Sequence, residues 1–178
     1  MPNVTTQRDG DSTTTNMAAL CSSNDSVSIK TAISEVISEI QSISSIKPEQ
    51  ESALVEYLNG KDVLAVLPTG FGKSLIYQLA PLVTKKLNPS INPIFIVISP
   101  LVELMNDQIR EASKLGITAM RLDVHSDKDI LEGRCQLVFG SPETWLLKEK
   151  WRTMLANPVY RQNLKGIVVD EVHVAYKW

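Results

Sequence analysis

Residues 63–74 read Val-Leu-Ala-Val-Leu-Pro-Thr-Gly-Phe-Gly-Lys-Ser, and the mainly apolar run 75–80, Leu-Ile-Tyr-Gln-Leu-Ala, follows them. The pattern is a short apolar strand, a loop that contains glycine, and a helix. Gly70 and Gly72 allow backbone conformations that turn successive N–H groups toward an anion, and a helix N-terminus adds the positive end of its dipole. The stretch therefore predicts a phosphate-binding loop between a strand and a helix.

Two side chains of this loop suit a nucleoside triphosphate with its magnesium ion. Lys73 can reach β- and γ-phosphate oxygens, and the Ser74 hydroxyl is a natural Mg²⁺ ligand. The strict pattern G-x-x-x-x-G-K-[ST] requires glycine where this chain has Leu67, so an ordinary strand–helix turn that contains Gly-Lys-Ser is the alternative. The residues predicted to hold the nucleotide in this loop are Pro68, Thr69, Gly70, Phe71, Gly72, Lys73 and Ser74.

An acidic pair follows a second apolar run, 166–169, in the segment Asp170-Glu-Val-His173. The carboxyl ends of parallel strands meet at one edge of a sheet, so this pair would lie beside the phosphate loop. Asp170 would hold Mg²⁺ through water, and Glu171 would orient and polarise the attacking water as a general base. Lys73, Asp170 and Glu171 are thus the predicted catalytic residues, and Ser74 and Asp170 the predicted metal ligands. A solvated acidic turn is the alternative when the segment is taken alone.

Short apolar runs and helical segments alternate along the chain, which favours an α/β fold with a mostly parallel sheet covered by helices on both faces. The predicted strands are Val63–Leu67, Ile94–Ile98, Ala119–Leu122, Leu137–Phe139 and Ile167–Val169. The predicted helices are an amphipathic one from Ile29 to Ile40, one from Pro48 to Leu58, and Ser74–Lys86, Leu101–Leu115 and Glu143–Leu155.

Length and composition fit one globular domain with a polar extension. The chain has 178 residues, 43% of them apolar, and a formal net charge of −2, so any binding to nucleic acid must come from a local face. Residues 1–28 hold 13 Ser, Thr or Asn and no aromatic residue, which predicts a disordered tail before a domain at 29–178. No apolar run is long enough for a membrane span, and no secretory leader is expected. Cys21 and Cys135 fit no zinc spacing and indicate a reducing compartment.

Four segments in this order resemble the first motor domain of RecQ-type DNA helicases, in helicase superfamily 2. The stretch 99–108, Ser-Pro-Leu-Val-Glu-Leu-Met-Asn-Asp-Gln, is the most specific, because it separates RecQ-type enzymes from RNA-directed relatives. The resemblance implies a RecA-like P-loop domain in an intracellular, nuclear, ATP-dependent DNA helicase that uses ATP and Mg²⁺ and moves 3′ to 5′ on single-stranded or forked DNA. The four segments are Ile46–Gln50, Leu67–Ser74, Val97–Gln108 and Asp170–His173.

The resemblance also implies an adenine-reading residue. Gln50 matches the glutamine that reads adenine through two hydrogen bonds and favours ATP over GTP. Lys47 stands near the base where the family usually has arginine, and Ile46 where it usually has an aromatic residue. These changes would weaken stacking on adenine and leave the amide contact intact. From residue type alone, Gln50 is only a polar residue in the first turn of a helix.

Further matches imply contacts with DNA. Ser99-Pro100 and Ser141-Pro142 each predict a helix cap after a strand, and the free N–H groups there could bind DNA phosphates. By resemblance, Trp178 would stack on a base and His173 would couple the nucleotide to a neighbouring domain. Plain helix caps and a ragged chain end are the alternatives.

Two family features are not found in this sequence: a Ser/Thr-Ala-Thr segment after the acidic motif, and a second motor domain with its charge-stabilising arginine. In this fold the Ser/Thr-Ala-Thr segment belongs to a strand that lies between the phosphate-loop strand and the acidic-motif strand. We therefore expect a truncated domain that is poorly stable and does not unwind DNA by itself. Three hypotheses remain: a DNA helicase whose remainder is absent, an RNA helicase relative, and a non-catalytic fragment that binds nucleotide or nucleic acid.

Overall fold

The computed structural model describes residues 27–124 and 127–172. The described part of helix α1 starts at residue 27 and so includes the last two residues of the predicted polar tail, and the rest of that tail lies outside the described residues. None of the helices in these two ranges is long and apolar enough to cross a membrane. The helices are α1 (27–39), α2 (Pro48–Leu58), α3 (Lys73–Leu87), α4 (Val102–Lys114), α5 (Asp127–Leu131), α6 (Pro142–Leu147), α7 (Glu149–Leu155) and α8 (Pro158–Asn163). The strands are β1 (Ile94–Ile98), β2 (Ala119–Arg121), β3 (Leu137–Gly140) and β4 (Leu164–Val169).

The four strands form one parallel sheet in the order β2-β3-β1-β4. Side chains of the buried strand β1 alternate between two clusters. Phe95 and Val97 pack in the cluster to which α1, α2, α3 and α4 contribute, whereas Ile94 and Ile96 pack with buried residues of α5, α6, α7 and α8. Both faces of the sheet are therefore covered by helices, as the alternation of strands and helices predicts. The predicted α/β fold class is confirmed.

The prediction of a strand at Val63–Leu67 is wrong. Residues 61–68 have no regular secondary structure, and Leu64 and Val66 are 76% and 84% exposed. A strand forms by pairing, and none of the described residues pairs with this segment. β4, which directly precedes the acidic motif, is an edge strand of this sheet, and its Ile167 is also exposed. Within the segment before the phosphate loop, Ala65 and Leu67 pack against the buried core, and Leu67 O accepts a hydrogen bond from Lys73 Nζ.

Helix boundaries differ from the predictions in the second half of the chain. The predicted helix Glu143–Leu155 is broken at Lys148, which has an extended backbone and ends α6 before α7 begins. Helices α5 and α8 were not predicted. The signal for α8 was the pair Asn157-Pro158, because the Asn157 side chain accepts a hydrogen bond from Val159 N at 2.9 Å and proline fits the first helical turn.

Cys135 provides a test of whether the core forms in solution. Its side chain is fully buried, and burial raises the pKa of the thiol from 9.0 to about 12. Because the thiolate is the reactive species, we expect Cys135 in a Cys21→Ser variant to react with an aromatic disulfide reagent near pH 8 at least ~100-fold more slowly than in guanidinium chloride. Equal rates in the two conditions would contradict the burial of Cys135.

Candidate nucleotide site

The phosphate loop lies between residues 63–67 and α3. Gly70 and Gly72 have φ values of 76° and 86°, in the left-handed region that favours glycine. Gly72 is the N-cap of α3, and no side chain caps the first turn of this helix. A Cβ atom at Gly72 would lie 2.8 Å from Gln50 Nε2, so the loop passes directly over α2. Helix α3 therefore begins at the loop with no side-chain cap, and a helix N-terminus of this kind suits an anion.

Lys73 is folded back over its own loop. Its Nζ atom donates hydrogen bonds to Leu67 O at 3.0 Å and to Pro68 O at 3.2 Å. Two carbonyl dipoles thus hold the ammonium group beside the N-terminus of α3. Phosphate oxygens are stronger acceptors for a cation than carbonyl oxygens, so a bound triphosphate would replace these contacts.

Gln50 and Lys47 also contact the loop. Gln50 is 3% exposed, and its Nε2 donates to Phe71 O at 3.0 Å and to Gly72 O at 2.9 Å. Its Oε1 accepts from Lys47 N at 2.9 Å. Lys47 Nζ donates to Phe71 O at 3.2 Å and lies 4.0 Å from the centroid of the Phe71 ring. The structure therefore brings both residues to the loop, with the Gln50 amide bonded to protein backbone.

Asp170 directly follows β4 and takes part in three hydrogen bonds. Its backbone N donates to Ile98 O at 2.8 Å, and its Oδ1 accepts from Glu171 N at 2.9 Å. Its Oδ2 accepts from the Tyr77 hydroxyl at 3.2 Å. Tyr77 lies on α3 three residues after Ser74, so one helix connects the phosphate loop to the acidic motif. Sequence reasoning missed Tyr77, for which the only signal was a hydroxyl-bearing residue one turn after the loop.

The side chains at this junction suit a magnesium ion that arrives with a nucleotide. Ser74 and Asp170 carry hydroxyl and carboxylate oxygens, the donors that Mg²⁺ prefers, and phosphate oxygens and water would supply the remaining ligands. Within the two described ranges, no group of three or more His, Cys, Asp or Glu residues could hold a metal ion by itself. The oxygen donors of Ser74 and Asp170 fit the chemistry of Mg²⁺.

The prediction that Ser99-Pro100 caps helix α4 is wrong. The helix begins at Val102, and its N-cap is Leu101, which has no polar side chain to cap it. Ser99 N instead donates to Gly140 O at 3.1 Å, so Ser99 continues the sheet and the helix begins three residues later, at Val102. Ser99 is 1% exposed, and its hydroxyl has no hydrogen-bond partner among the described residues.

Ser141-Pro142 forms the predicted cap. Ser141 Oγ accepts from Thr144 N at 3.2 Å, and Pro142 occupies the first turn of α6. Residues 99, 141 and 170 follow the neighbouring strands β1, β3 and β4, so these predicted sites lie at one edge of the sheet. His173 and Trp178 lie outside the described residues, and their predicted roles stay predictions.

Sequence comparison places these features in a known family. The profile of the DEAD/DEAH box helicase family matches residues 47–178. A putative ATP-dependent DNA helicase Q1 from Caenorhabditis briggsae is 34% identical over 142 residues, which are 74% of this chain and 22% of that protein. The ATP-dependent DNA helicase Q1 of Rattus norvegicus is 28% identical over 156 residues, 82% of this chain and 24% of that protein. The chain thus spans less than a quarter of the length of these relatives.

Structure comparison agrees on the fold. The crystal structure of the DUF1998 helicase MrfA bound to DNA and AMPPNP aligns with 80% of this chain and 21% of that chain, with a TM-score of 0.59 and 24% sequence identity. This likeness supports the RecA-like α/β fold, and the relatives named above confirm the resemblance to RecQ-type enzymes. The chain therefore belongs to the DEAD/DEAH box helicase family, on its RecQ-type branch.

Proposed function

We propose that this chain is the ATP-binding part of an ATP-dependent DNA helicase, in which hydrolysis of ATP drives separation of DNA strands. The observation that carries the proposal is the contact between α3 and the acidic motif. Helix α3 carries Lys73 and Ser74 at its start, and its Tyr77 hydroxyl is bonded to Asp170. This contact supports an arrangement in which the phosphate loop and Asp170 lie near one another at the carboxyl edge of the parallel sheet, where such folds bind ligands. The names of the relatives support DNA as the substrate.

Each residue of the site has a role in this proposal. Lys73 exchanges the carbonyl oxygens of its loop for β- and γ-phosphate oxygens. Ser74 and Asp170 would hold Mg²⁺, which would supply positive charge to neutralise the phosphates. Glu171 orients and polarises the attacking water, in the role of a general base.

DNA would contact the same edge of the sheet. Ser99-Pro100 and Ser141-Pro142 follow adjacent strands there, and backbone N–H groups at such turns can bind phosphates without reading sequence. Stacking by Trp178 and coupling through His173 belong to the same proposal, as do single-stranded or forked DNA, 3′ to 5′ movement and a nuclear location. A second motor domain would supply the charge-stabilising arginine. Sustained strand separation by residues 1–178 alone would contradict the proposed need for a second motor domain.

A second candidate is a non-catalytic fragment that binds nucleotide. It is favoured by one observation: the segment before the phosphate loop is not paired in the sheet, and Leu64 and Val66 are exposed. A loop whose leading segment is not held by strands is less preorganised for the transition state. Binding of Mg²⁺-ATP by this chain, with no hydrolysis even when a second motor domain and DNA are supplied, would favour this candidate.

The proposal is tested by letting ATP and GTP compete for the chain against a fluorescent ATP analogue with Mg²⁺. We expect the wild-type chain to prefer ATP and a Gln50→Ala variant to lose about tenfold of that preference, because a neutral hydrogen bond pair to adenine contributes ~1–2 kcal/mol. Glu49→Gln, an exposed change on the same helical turn, is the control and should keep the preference.

Two outcomes of this competition would count against the proposal. If the wild-type chain binds no Mg²⁺-ATP, the proposed function fails for this chain. If it binds ATP and GTP equally, the assignment of adenine reading to Gln50 fails, and the assignment of the phosphate loop stands.

A further inference from the structure

Both oxygens of the Asp170 carboxylate accept hydrogen bonds from the protein. The Oδ1 contact, from Glu171 N at 2.9 Å, comes from the adjoining residue and is local. The Oδ2 contact, from the Tyr77 hydroxyl at 3.2 Å, comes from a residue 93 positions away in the chain. Only the second contact can set the position of the carboxylate relative to helix α3. A carboxylate with one oxygen released could rotate about its terminal bond, because that torsion has a broad energy minimum.

The Tyr77 side chain is buried and packed, so its hydroxyl can set the position of the Asp170 carboxylate. Tyr77 is 4% exposed, and its ring meets the Phe139 ring edge-on, with centroids 6.4 Å apart and planes at 68°. The buried ring therefore holds the hydroxyl in one place beside the Asp170 carboxylate.

We propose that Tyr77 is a positioning residue: its hydroxyl fixes the Asp170 carboxylate at a set distance from Ser74, so that the two Mg²⁺ ligands are aligned before the nucleotide binds. This inference rests on the proposed function. Ser74 and Tyr77 are separated by three residues on one helix, which places them on the same face. The spacing between the metal ligands is then determined by one helical turn and one hydrogen bond.

Tyr57 offers a matched control. It is a tyrosine on α2 whose ring contacts Phe95 at a centroid distance of 5.9 Å. Its hydroxyl is buried and has no hydrogen-bond partner among the described residues, and burial raises its pKa to about 12. A Tyr57→Phe change removes a buried hydroxyl from the same core without touching the acidic motif. Tyr77→Phe removes the hydroxyl that contacts Asp170 and keeps the ring.

The experiment measures binding of a fluorescent ATP analogue to the 178-residue chain as Mg²⁺ is titrated, and again with EDTA. We expect Tyr77→Phe to raise the Mg²⁺ concentration at half-saturation about tenfold, because loss of a residue that orients a metal ligand typically costs 10–100-fold in metal affinity. Binding in EDTA should be unchanged, and Tyr57→Phe should match the wild type in both conditions. In an Asp170→Ala background, Tyr77→Phe should have no further effect on the Mg²⁺ titration.

The possible results separate this inference from the proposed function. If the wild-type chain shows no Mg²⁺-dependent ATP binding, the proposed function fails and the inference fails with it. If the wild type shows that dependence and Tyr77→Phe has the same titration, the inference alone is overturned. A Tyr77→Phe variant that also loses binding in EDTA, or that weakens Mg²⁺ binding equally in the Asp170→Ala background, would show a purely structural role and would likewise overturn it.

Discussion

Replacing Lys73 with alanine is expected to abolish measurable binding of Mg²⁺-ATP by the chain. Lys73 is the only cation within the phosphate-loop segment 67–74. Hydrogen bonds to charged groups contribute ~1.5–3 kcal/mol each, so loss of two contacts to phosphate oxygens should weaken binding by a factor of about 100 or more. The measurement is direct titration with a fluorescent ATP analogue, together with circular dichroism to verify folding.

Lys85→Ala is the matched control for this change. Lys85 lies near the other end of α3, where its Nζ donates to Ile91 O at 2.7 Å, away from the phosphate loop. We expect this variant to bind Mg²⁺-ATP as the wild type does. If Lys73→Ala retained the affinity of the Lys85→Ala variant, the loop would not be the phosphate site.

Trp151→Ala should cause the largest loss of stability. Trp151 heads the fully buried side chains by volume, and its Nε1 donates to Asp123 Oδ1 at 3.3 Å. Truncation of a buried tryptophan costs ~3–5 kcal/mol, which is a large part of the ~5–15 kcal/mol that stabilises an ordinary domain. We expect the variant to lose its cooperative urea transition, followed by far-ultraviolet circular dichroism.

Leu147→Ala tests the specificity of that effect. Leu147 ends α6, two residues before α7 begins, and it is 77% exposed. Its truncation should change the free energy of unfolding by less than ~0.5 kcal/mol. Equal urea midpoints for the Trp151→Ala and Leu147→Ala variants would contradict the packing of α7 against the sheet.

The parts of the fold that could be predicted are those in which a local pattern matches its final environment. The strand Ile94–Ile98 is buried on both faces, so its continuous apolar run predicts it directly. The run Val63–Leu67 is also continuously apolar, but a strand needs a partner as well, and local sequence carries no information about whether one is present. Ser99 failed as a predicted cap for a similar reason, because its backbone bonds to Gly140 across the sheet.

Some residues of the candidate site could likewise be predicted from the sequence, and others could not. Lys73 and Ser74 follow from loop chemistry and spacing, and the structure places them at the start of α3 as expected. Gln50 was identified through resemblance, and the structure adds that its amide bonds the loop backbone. Tyr77 could not have been assigned, because its partner Asp170 is brought to it only by the packing of α3 on the sheet.

The contacts of the phosphate loop with the chain's own side chains have a consequence for how affinity should be understood. Lys47, Gln50 and Lys73 all donate to carbonyl oxygens of residues 67–72. Under the proposed function, binding of a triphosphate would therefore be an exchange, in which one set of hydrogen bonds is given up as another forms. The net affinity would be the difference between two large terms, so a modest dissociation constant would be compatible with strong individual contacts to the nucleotide.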